Sequence, residues 1–219
     1  MKEVIILGTG NSAQYCRWDC EVWGVNGAYA FRHRFAPDTK LKFRLDKLFL
    51  ADNLFAPDGR LNFNIDVMNS LIEEYGTEII SMYPLKLGKH KLKYKPYPYA
   101  NISKHFGSEY FTSTICYMMA YALYKRYDHL RLYGVDMASK QEYVLAKGGV
   151  EFWVGYALGL GCTIDIATGS TITMPKEGYP YNRPPKVNLK NIDPFGLLKG
   201  RNPSSAEQDK ISQQINRQG

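Results

Sequence analysis

The sequence predicts an α/β fold of the Rossmann-like type, with a largely parallel sheet and helices on both faces. Three observations support it. Short apolar runs typical of buried strands alternate with apolar segments of helical length. The first run, 4–7, ends in the glycine turn Gly8-Thr9-Gly10-Asn11-Ser12. Small polar residues also follow several later strands, and in a parallel sheet such residues meet at one edge.

Length and composition fit one globular domain with an appendage. The chain has 219 residues, of which 45% are hydrophobic and 22% are charged, and its formal net charge is +7. A basic surface favours anionic ligands such as nucleotides, nucleic acid or an acidic membrane. The basic residues are dispersed, which favours a solvated surface over a dedicated nucleic-acid groove. We expect a Rossmann-like nucleotide-binding domain at 1–174 and an irregular, extended, partly disordered arm at 175–219.

The segment 4–13 is the most informative part of the chain. Its two glycines let the backbone turn sharply and leave a floor without side chains, where a ligand can contact peptide N–H groups. The turn from Gly8 to Ser12 therefore predicts a nucleotide-binding site. A dinucleotide is not expected, because the stretch before the next strand holds at most about two helical turns. In addition, the second strand, 21–25, ends in Asn26 rather than in an acidic residue.

The middle of the chain predicts two more strands, at 41–45 and 77–82, with a helix between them. The helix begins after Asn64 or Asp66, which are good capping residues, and runs to Tyr75. Its apolar residues recur with helical spacing, so one face of it is expected to be buried.

The segment 84–110 predicts a long loop in which lysines alternate with tyrosines. Loops of this length in a compact domain are usually functional or mobile. Basic and aromatic residues in alternation could grip a nucleic acid or a sugar phosphate. A solvated basic hairpin is an equal alternative.

The second half of the chain predicts two apolar helices, each followed by a strand. Thr112 or Ser113 is a natural N-cap for the first helix, and the exposed N–H groups at such a start favour phosphate. Because the predicted strands are parallel, the small polar clusters that follow them meet at one edge of the sheet. These clusters are at 8–12, at Asn26, at Asp136 and at 169–171. The predicted elements are a helix at 115–127, a strand at 129–133, a helix at 150–160 and a strand at 163–167.

The cysteines predict no metal site. Cys16 and Cys20 resemble half of a zinc site, but no second Cys/His pair stands at ligand spacing. Cys116 and Cys162 lie in apolar segments and are expected to be core thiols. No signal peptide and no membrane span is predicted, so a cytoplasmic protein with reduced cysteines is expected.

The order of these motifs resembles that of the bacterial sialyltransferases of glycosyltransferase family 42. The chain looks more loosely like the archaeal 6-hydroxymethylpterin diphosphokinase group, which has a Rossmann-like core. The resemblance covers about residues 2–172, and the style of the chain resembles that of phage-encoded proteins. The shared order is a strand with the GxGxS turn at 8–12, a strand ending in Asn26, Thr112-Ser113 before an apolar helix with Tyr-Met, and Gly-Val-Asp at 134–136.

In the sialyltransferases these motifs hold the CMP part of the donor. For this chain the resemblance implies a CMP- or UDP-type nucleotide sugar, which could bring Mg²⁺ with it, and an acceptor that is not identified. Asn11 belongs to the same glycine turn and completes the predicted nucleotide-binding set. The implied contacts are Gly8, Thr9, Gly10 and Ser12 at phosphate and ribose, Asn26 at sugar or base, and Thr112 and Ser113 near cytidine or phosphate; Tyr143 is the nearest match to the family's leaving-group tyrosines.

One departure from the family concerns the general base. The family uses a histidine between the Gly-x-Asp strand and the next helix, but here no histidine follows His129. Gln141 stands near the expected place, and glutamine cannot accept a proton at neutral pH. Asp136 has the best position, at the end of a strand, although a structural cap on the following loop is a slightly favoured alternative role. The other candidates are Glu142, Glu151, His33 and His105, and the predicted catalytic set is Asp136, His105 and Tyr143.

Three functions follow from these observations. The first is a nucleotide-dependent transferase, most simply a glycosyltransferase that uses a nucleotide-activated sugar. The second is a non-catalytic protein that sequesters a nucleotide, which the missing histidine favours. The third is a structural or assembly protein that keeps the fold and uses the arm at 175–219 to join a larger particle. The arm could also join copies of the chain into a homo-oligomer.

Overall fold

The computed structural model describes residues 1–31, 43–137 and 141–173, the side chains of 141–144 excepted. Within these ranges, one sheet contains β1 (Glu3–Leu7), β2 (Glu21–Val25), β3 (Lys47–Leu50), β4 (Glu78–Ser81), β5 (Lys95–Pro96), β6 (His129–Tyr133) and β7 (Thr163–Ile166). The strand order is β5-β4-β3-β2-β1-β6-β7, and every neighbouring pair is parallel. This confirms the predicted α/β fold with a parallel sheet. The predicted arm, 175–219, lies outside the described residues.

The helices of the described residues lie between these strands. None of them is long and apolar enough to cross a membrane. Short 3-10 helices follow β1 and β2, which confirms that little helix separates β1 from β2. The helices are α1 (Ile65–Tyr75), α2 (Tyr99–Phe106), α3 (Thr114–Tyr124), α4 (Gln141–Gly159) and the 3-10 helices Asn11–Tyr15 and Asn26–Ala30.

Alternate residues of the strands face two separate cores, as the pleat of a strand requires. Val4 and Ile6 belong to the core beneath α3 and α4. Ile5 and Leu7 belong to the core that contains the buried face of α1. Helices therefore cover both faces of the sheet, and these four side chains of β1 are fully buried. The residues that end β1 are consequently held in a rigid frame.

The predicted helix after residue 64 is confirmed together with its ends. The Asn64 side chain accepts a hydrogen bond from Val67 N at 3.0 Å. Gly76 adopts a left-handed conformation with φ +69° and ends α1. A capping side chain at the start and glycine at the end are the local signals that the sequence contained.

The predicted strand at 41–45 is wrong, because the third strand is Lys47–Leu50. Residues 41 and 42 lie outside the described residues, whereas Phe43 and Leu45 are buried without forming a strand. Asp46 joins the neighbouring strands instead, since its Oδ2 accepts from Val22 N at 2.8 Å. Apolar residues that pack beneath a sheet show the same alternation as residues within it.

Two further boundaries differ from the predictions. The loop at 84–110 contains β5 and the helix α2, which ends at Gly107 with φ +62°. The last helix begins at Gln141, nine residues before the predicted start at Val150. Gly148 and Gly149 lie within this helix, and a Cβ at Gly149 would lie 2.0 Å from Thr112 Oγ1. The absence of a side chain at Gly149 therefore allows α4 to pack closely against Thr112.

Candidate functional site

A cleft of about 700 Å³ lies at the carboxyl ends of the strands. The strands that end along it are β4, β3, β2, β1 and β6, in that order. Four inter-strand spacings of about 4.8 Å give it a width of roughly 19 Å. Ligands of parallel sheets bind at this edge. The predicted residues that line the cleft are Gly8, Thr9, Gly10, Asn11, Asn26, Thr112, Ser113 and Asp136.

The ends of β1 and β6 touch through two glycines. A Cβ at Gly8 would lie 2.3 Å from Gly134 O, and a Cβ at Gly134 would lie 2.4 Å from Gly8 O. Gly8 N donates to Tyr133 O at 2.8 Å, and Gly10 N donates to Gly134 O at 2.8 Å. The amides of the two predicted glycines are thus occupied within the protein. Those of Thr9 and Asn11, which also line the cleft, have no hydrogen-bond partner among the described residues.

Asp136 holds the glycine turn through both of its carboxylate oxygens. Ser12 N donates to Asp136 Oδ2 at 3.0 Å, and Ser12 Oγ donates to Asp136 Oδ1. The same hydroxyl accepts from Gly134 N at 2.8 Å. Ser12 is buried and does not line the cleft, unlike Asp136. The predicted cluster at 169–171 fixes the backbone of Asp136, because Thr171 Oγ1 donates to Asp136 O at 2.8 Å.

The start of α3 provides the second set of amides. Ser113 occupies the N-cap position, but its hydroxyl lies 3.4 Å from Cys116 Sγ and makes no capping hydrogen bond. The backbone amides of Thr114 and Ile115 have no partner within the described part of the chain. Both residues line the cleft. The positive end of the helix dipole is therefore uncompensated there, which favours an anion.

Although Thr112 lines the cleft, its hydroxyl is hydrogen-bonded to another helix of the protein. Its Oγ1 donates to Ala146 O at 2.8 Å, across to α4. The close approach at Gly149 permits this contact. Thr112 thereby fixes the position of the α3 start relative to α4, which in turn positions the two unpartnered amides.

Asn26 and Asp52 occupy the middle of the cleft. Asn26 Oδ1 accepts from Ala51 N at 3.1 Å, and Asn26 Nδ2 donates to Asp52 Oδ2 at 2.7 Å. The amide orientation is thus determined by two partners on the chain that follows β3. Asp52 is exposed and lines the cleft. Sequence reasoning missed it, because the signal is its place directly after β3 and that strand was predicted too early.

An aromatic surface closes the β4 end of the cleft. We call Tyr83, Phe111 and Tyr117 the aromatic wall; all three line the cleft. The rings of Phe111 and Tyr117 stack with centroids 4.6 Å apart and an angle of 6°. Burial raises the pKa of Tyr117, and the neighbouring Tyr83 raises it further, so the phenol stays protonated at neutral pH. No motif in the sequence identified these three residues.

Among the described residues, the remaining catalytic candidates His105 and Glu151 do not line the cleft. His105 is exposed on α2, and its ring contacts that of Tyr124 at 5.4 Å. Tyr124 ends α3, seven residues or about 10 Å along the helix from Tyr117, which lines the cleft. Glu151 pairs with Lys147 at 3.4 Å and accepts from Thr173 N at 2.9 Å. His33 and the side chains of Glu142 and Tyr143 lie outside the described residues.

In the part of the chain that the structure describes, no three His, Cys, Asp or Glu side chains lie close enough together to bind a metal ion. The predicted half-site is a pair of free thiols. Burial raises the pKa of Cys16 to about 12 and that of Cys20 to about 11. Both thiols are protonated at neutral pH, and a metal ligand must be a thiolate.

No family model matches the chain, and no curated protein matches it. Among solved structures, sialyltransferase CstII from Campylobacter jejuni with the substrate analogue CMP-3FNeuAc matches at 17% identity and a TM-score of 0.51, over 76% of this chain and 80% of that chain. The CstII complex with cytidine-5'-monophosphate matches at 18% identity and 0.43, over 76% and 80%. The CstII complex with a trisaccharide acceptor and CMP matches at 18% and 0.47, over 76% and 81%. The first comparison establishes a shared α/β fold.

Proposed function

We propose that the chain is a nucleotide-dependent transferase, and specifically a glycosyltransferase with a nucleotide-activated sugar as donor. One observation carries the proposal. Residues with unpartnered backbone amides, Thr9 and Asn11 from the β1 turn and Thr114 and Ile115 from the α3 start, line the same cleft. Amides of turns and helix starts bind phosphate oxygens. The two segments are distant in sequence, so the fold itself assembles this set.

The groups beside these amides fit the rest of such a donor. Asn26 offers an amide and Asp52 a carboxylate, which suit the hydroxyl groups of a ribose or a sugar. A volume of about 700 Å³ lies within the range of small-molecule sites, and it exceeds what a nucleotide alone would require. Along the sheet edge, the hydroxyl partners at the ends of β2 and β3 therefore lie between the β1 turn and Tyr83 of the aromatic wall, which follows β4.

The structural neighbours support a pyrimidine nucleotide. The CstII structures hold CMP, CMP-3FNeuAc or a trisaccharide acceptor with CMP. Carried to this chain, these ligands favour a CMP- or UDP-type donor. The predicted nucleotide-binding set, from Gly8 to Ser12 with Asn26, Thr112 and Ser113, stays a prediction. We refine it by assigning phosphate contact to the amides of Thr9 and Asn11 and a supporting role to Gly8, Ser12 and Thr112.

The reaction would join an acceptor hydroxyl to the donor sugar. The acceptor oxygen attacks the anomeric carbon, and the bond from that carbon to the nucleotide phosphate breaks. The leaving phosphate gains negative charge, which the unpartnered amides at the start of α3 stabilise. The acceptor hydroxyl loses its proton to a general base.

We assign the base role to Asp52. Two carboxylates line the cleft among the described residues, Asp52 and Asp136. Both oxygens of Asp136 accept hydrogen bonds from Ser12, which makes it a support of the β1 turn. Asp52 is oriented by Asn26 and follows β3, which pairs with β4, the strand that precedes Tyr83 of the aromatic wall. An acceptor hydroxyl bound at Tyr83 would therefore lie near Asp52.

A second candidate is a protein that binds a nucleotide without turning it over. It is favoured by a missing histidine: the family resemblance implies a histidine as general base, and no described residue that lines the cleft is a histidine. The same amides would bind the nucleotide in both cases. Product formation separates the two functions.

The first test is a thermal-shift screen with CMP, UDP, GDP, ADP, NAD and the corresponding nucleotide sugars. A ligand at about a hundred times its Kd stabilises the folded state by about 2.7 kcal/mol, so binding raises the Tm by several degrees. We expect CMP or UDP and its sugar conjugates to raise the Tm most. Release of nucleotide from the matching sugar conjugate then supports the transferase, and binding without release supports the second candidate. Absence of any shift would contradict both and favour an assembly role.

A further inference from the structure

A basic surface adjoins the aromatic end of the cleft. Residues 84–98 contain lysines at 86, 89, 91, 93 and 95 and no acidic residue. Lys95 pairs with Glu78. We call Lys86, Lys89, Lys91 and Lys93 the lysine strip; all four are exposed and form no ion pair with a described residue. The strip therefore presents uncompensated positive charge, which attracts anions over about a Debye length of 10 Å.

The strip is anchored to the fold. Leu92 is buried, and Leu87 and Tyr94 pack against the same core. Asn69 Nδ2 donates to Lys91 O at 3.0 Å, and Leu85 N donates to the Tyr94 hydroxyl at 3.1 Å. Apolar residues on the inner side and lysines on the outer side give the segment a defined orientation. The lysines thus form a surface with a fixed place beside the cleft.

This place is the β4 edge of the cleft. The strip begins three residues after Tyr83, which is 57% exposed and lines the cleft. The segment also meets the chain that follows Asp52, because the rings of Phe55 and His90 lie 6.4 Å apart. A ligand that leaves the cleft past Tyr83 would therefore cross the strip.

The aromatic wall is held rigidly for stacking. Phe111 lies between the rings of Tyr117 and Trp153, at centroid distances of 4.6 Å and 5.3 Å. The fully buried Trp153 donates from Nε1 to Tyr110 O at 2.9 Å. Both faces of Phe111 are thereby covered, so Phe111 holds the wall in place, and the exposed ring of Tyr83 is the one left to stack on a sugar, which has an apolar C–H face and hydroxyls around it.

We propose that the acceptor is an anionic glycan, with one sugar ring on the aromatic wall and the negative charges of the following units on the lysine strip. The inference rests on the proposed function and names the acceptor class for the same site. A nucleic acid fits less well, because non-specific binders stack bases on exposed aromatic residues among the basic ones. Here Tyr97 is buried, and Tyr94 packs against the core.

The test measures binding of three probes to the full chain by calorimetry, at low salt and with saturating CMP. The probes are a heparin octasaccharide, the uncharged maltooctaose and a dodecamer of deoxythymidine. We expect the heparin octasaccharide to bind more tightly than the other two. Stronger binding of the deoxythymidine dodecamer would overturn the proposal in favour of nucleic acid, and failure of the octasaccharide to bind would overturn it outright.

Matched variants distinguish the effect of the lysine strip on octasaccharide binding from the effect of the protein's overall charge. Lys89→Gln with Lys93→Gln should weaken octasaccharide binding about tenfold and lower the salt slope by about 2. Lys104→Gln with Lys125→Gln removes the same charge from exposed positions outside the strip and should change binding by less than about twofold. Equal effects of the two pairs would mean that only net charge matters, which would contradict the proposal.

The wall is tested at Tyr83. Tyr83→Ala should weaken octasaccharide binding about fivefold, Tyr83→Phe should retain it, and Tyr15→Ala, with an exposure of 55%, is the control outside the cleft. The CMP-induced Tm shift is measured on the same samples. Loss of that shift in Tyr83→Ala would mean that the wall binds the nucleobase, and would overturn the assignment. Absence of any nucleotide shift in the wild type would refute the proposed function instead, independently of the octasaccharide result.

Discussion

At the β6–β1 end of the cleft, side chains and backbone groups are bonded to one another, whereas at the β3–β4 end exposed side chains form the surface. Ser12 and Asp136 bond to each other at the first end, and Gly8 touches the backbone of Gly134. At the second end, Asp52 and Tyr83 are exposed. The end with a sequence motif is thus a scaffold that presents amides, and the end without one presents side chains.

This difference shows what a glycine motif in a sequence indicates about the structure. At Gly8 the absence of a side chain is required by the neighbouring strand, and the ligand-binding amides belong to the residues between and after the glycines. Such a motif marks a backbone geometry, which only a few residue types can adopt. Side chains that would contact an acceptor carry no such backbone requirement, so they leave no local signal.

The largest expected effect is at the scaffold end. Gly8→Ala should lower the free energy of unfolding by about 3 kcal/mol, because its Cβ would overlap Gly134 O and neither backbone can move without disturbing the sheet. Urea denaturation measures the change. Gly155→Ala is the matched control, because its Cβ would meet nothing within 4 Å. The control should keep or slightly raise stability, and equal losses in both variants would remove the distinction between the two ends.

The next largest effect concerns catalysis at the other end. Asp52→Asn should lower the rate of sugar transfer, or of donor hydrolysis without acceptor, by about 100-fold, because the amide cannot accept the proton. Its Tm shift with nucleotide should persist. Initial rates with the nucleotide sugar identified in the screen measure the effect. Full turnover in this variant would exclude Asp52 as the base.

Asp136→Asn should act on stability instead. The carboxylate accepts from two donors of Ser12, and an amide group would place its own donor against one of them. We expect a loss of about 2 kcal/mol in the free energy of unfolding. Asp52→Asn is the comparison, with a change of less than about 1 kcal/mol for an exposed side chain. A stable, inactive Asp136→Asn would reverse the roles of the two carboxylates.

The smallest effect is expected at Ser113. Its hydroxyl lies 3.4 Å from Cys116 Sγ, and we assign phosphate contact to the backbone amides of the next two residues. Ser113→Ala should therefore change the Kd of the nucleotide by less than about threefold, measured by calorimetry. A tenfold loss would show that the side chain, and not only the backbone, contacts the nucleotide.

The sequence predicted the parts of the fold that local signals determine. The strands β1, β2 and β6 are each followed directly by glycine or asparagine, and α1 has a capping side chain at Asn64 and glycine at its end. The meeting of small polar residues at one edge followed from the parallel order of the strands. These features depend on residues that are close in sequence or on a general rule of topology.

The features that were missed depend on contacts between distant segments. The third strand was predicted too early because Phe43 and Leu45 pack beneath the sheet with the alternation of a strand. The start of α4 was predicted too late, and the requirement for Gly149 within that helix comes from Thr112. The aromatic wall joins Tyr83 to rings at 111 and 117, and no spacing rule relates them. Asp52 was not predicted as a site residue, because the strand that precedes it was predicted at the wrong place.

The central claim is that the amides of Thr9, Asn11, Thr114 and Ile115 bind the phosphate of a nucleotide. An NMR titration of ¹⁵N-labelled protein with CMP and UDP tests it residue by residue. We predict that these four amide protons move downfield together as the nucleotide is added, while those of Gly8 and Gly10, already bonded within the protein, change little. Shifts confined to another surface, or an unchanged spectrum at saturating concentrations of both nucleotides, would contradict the claim.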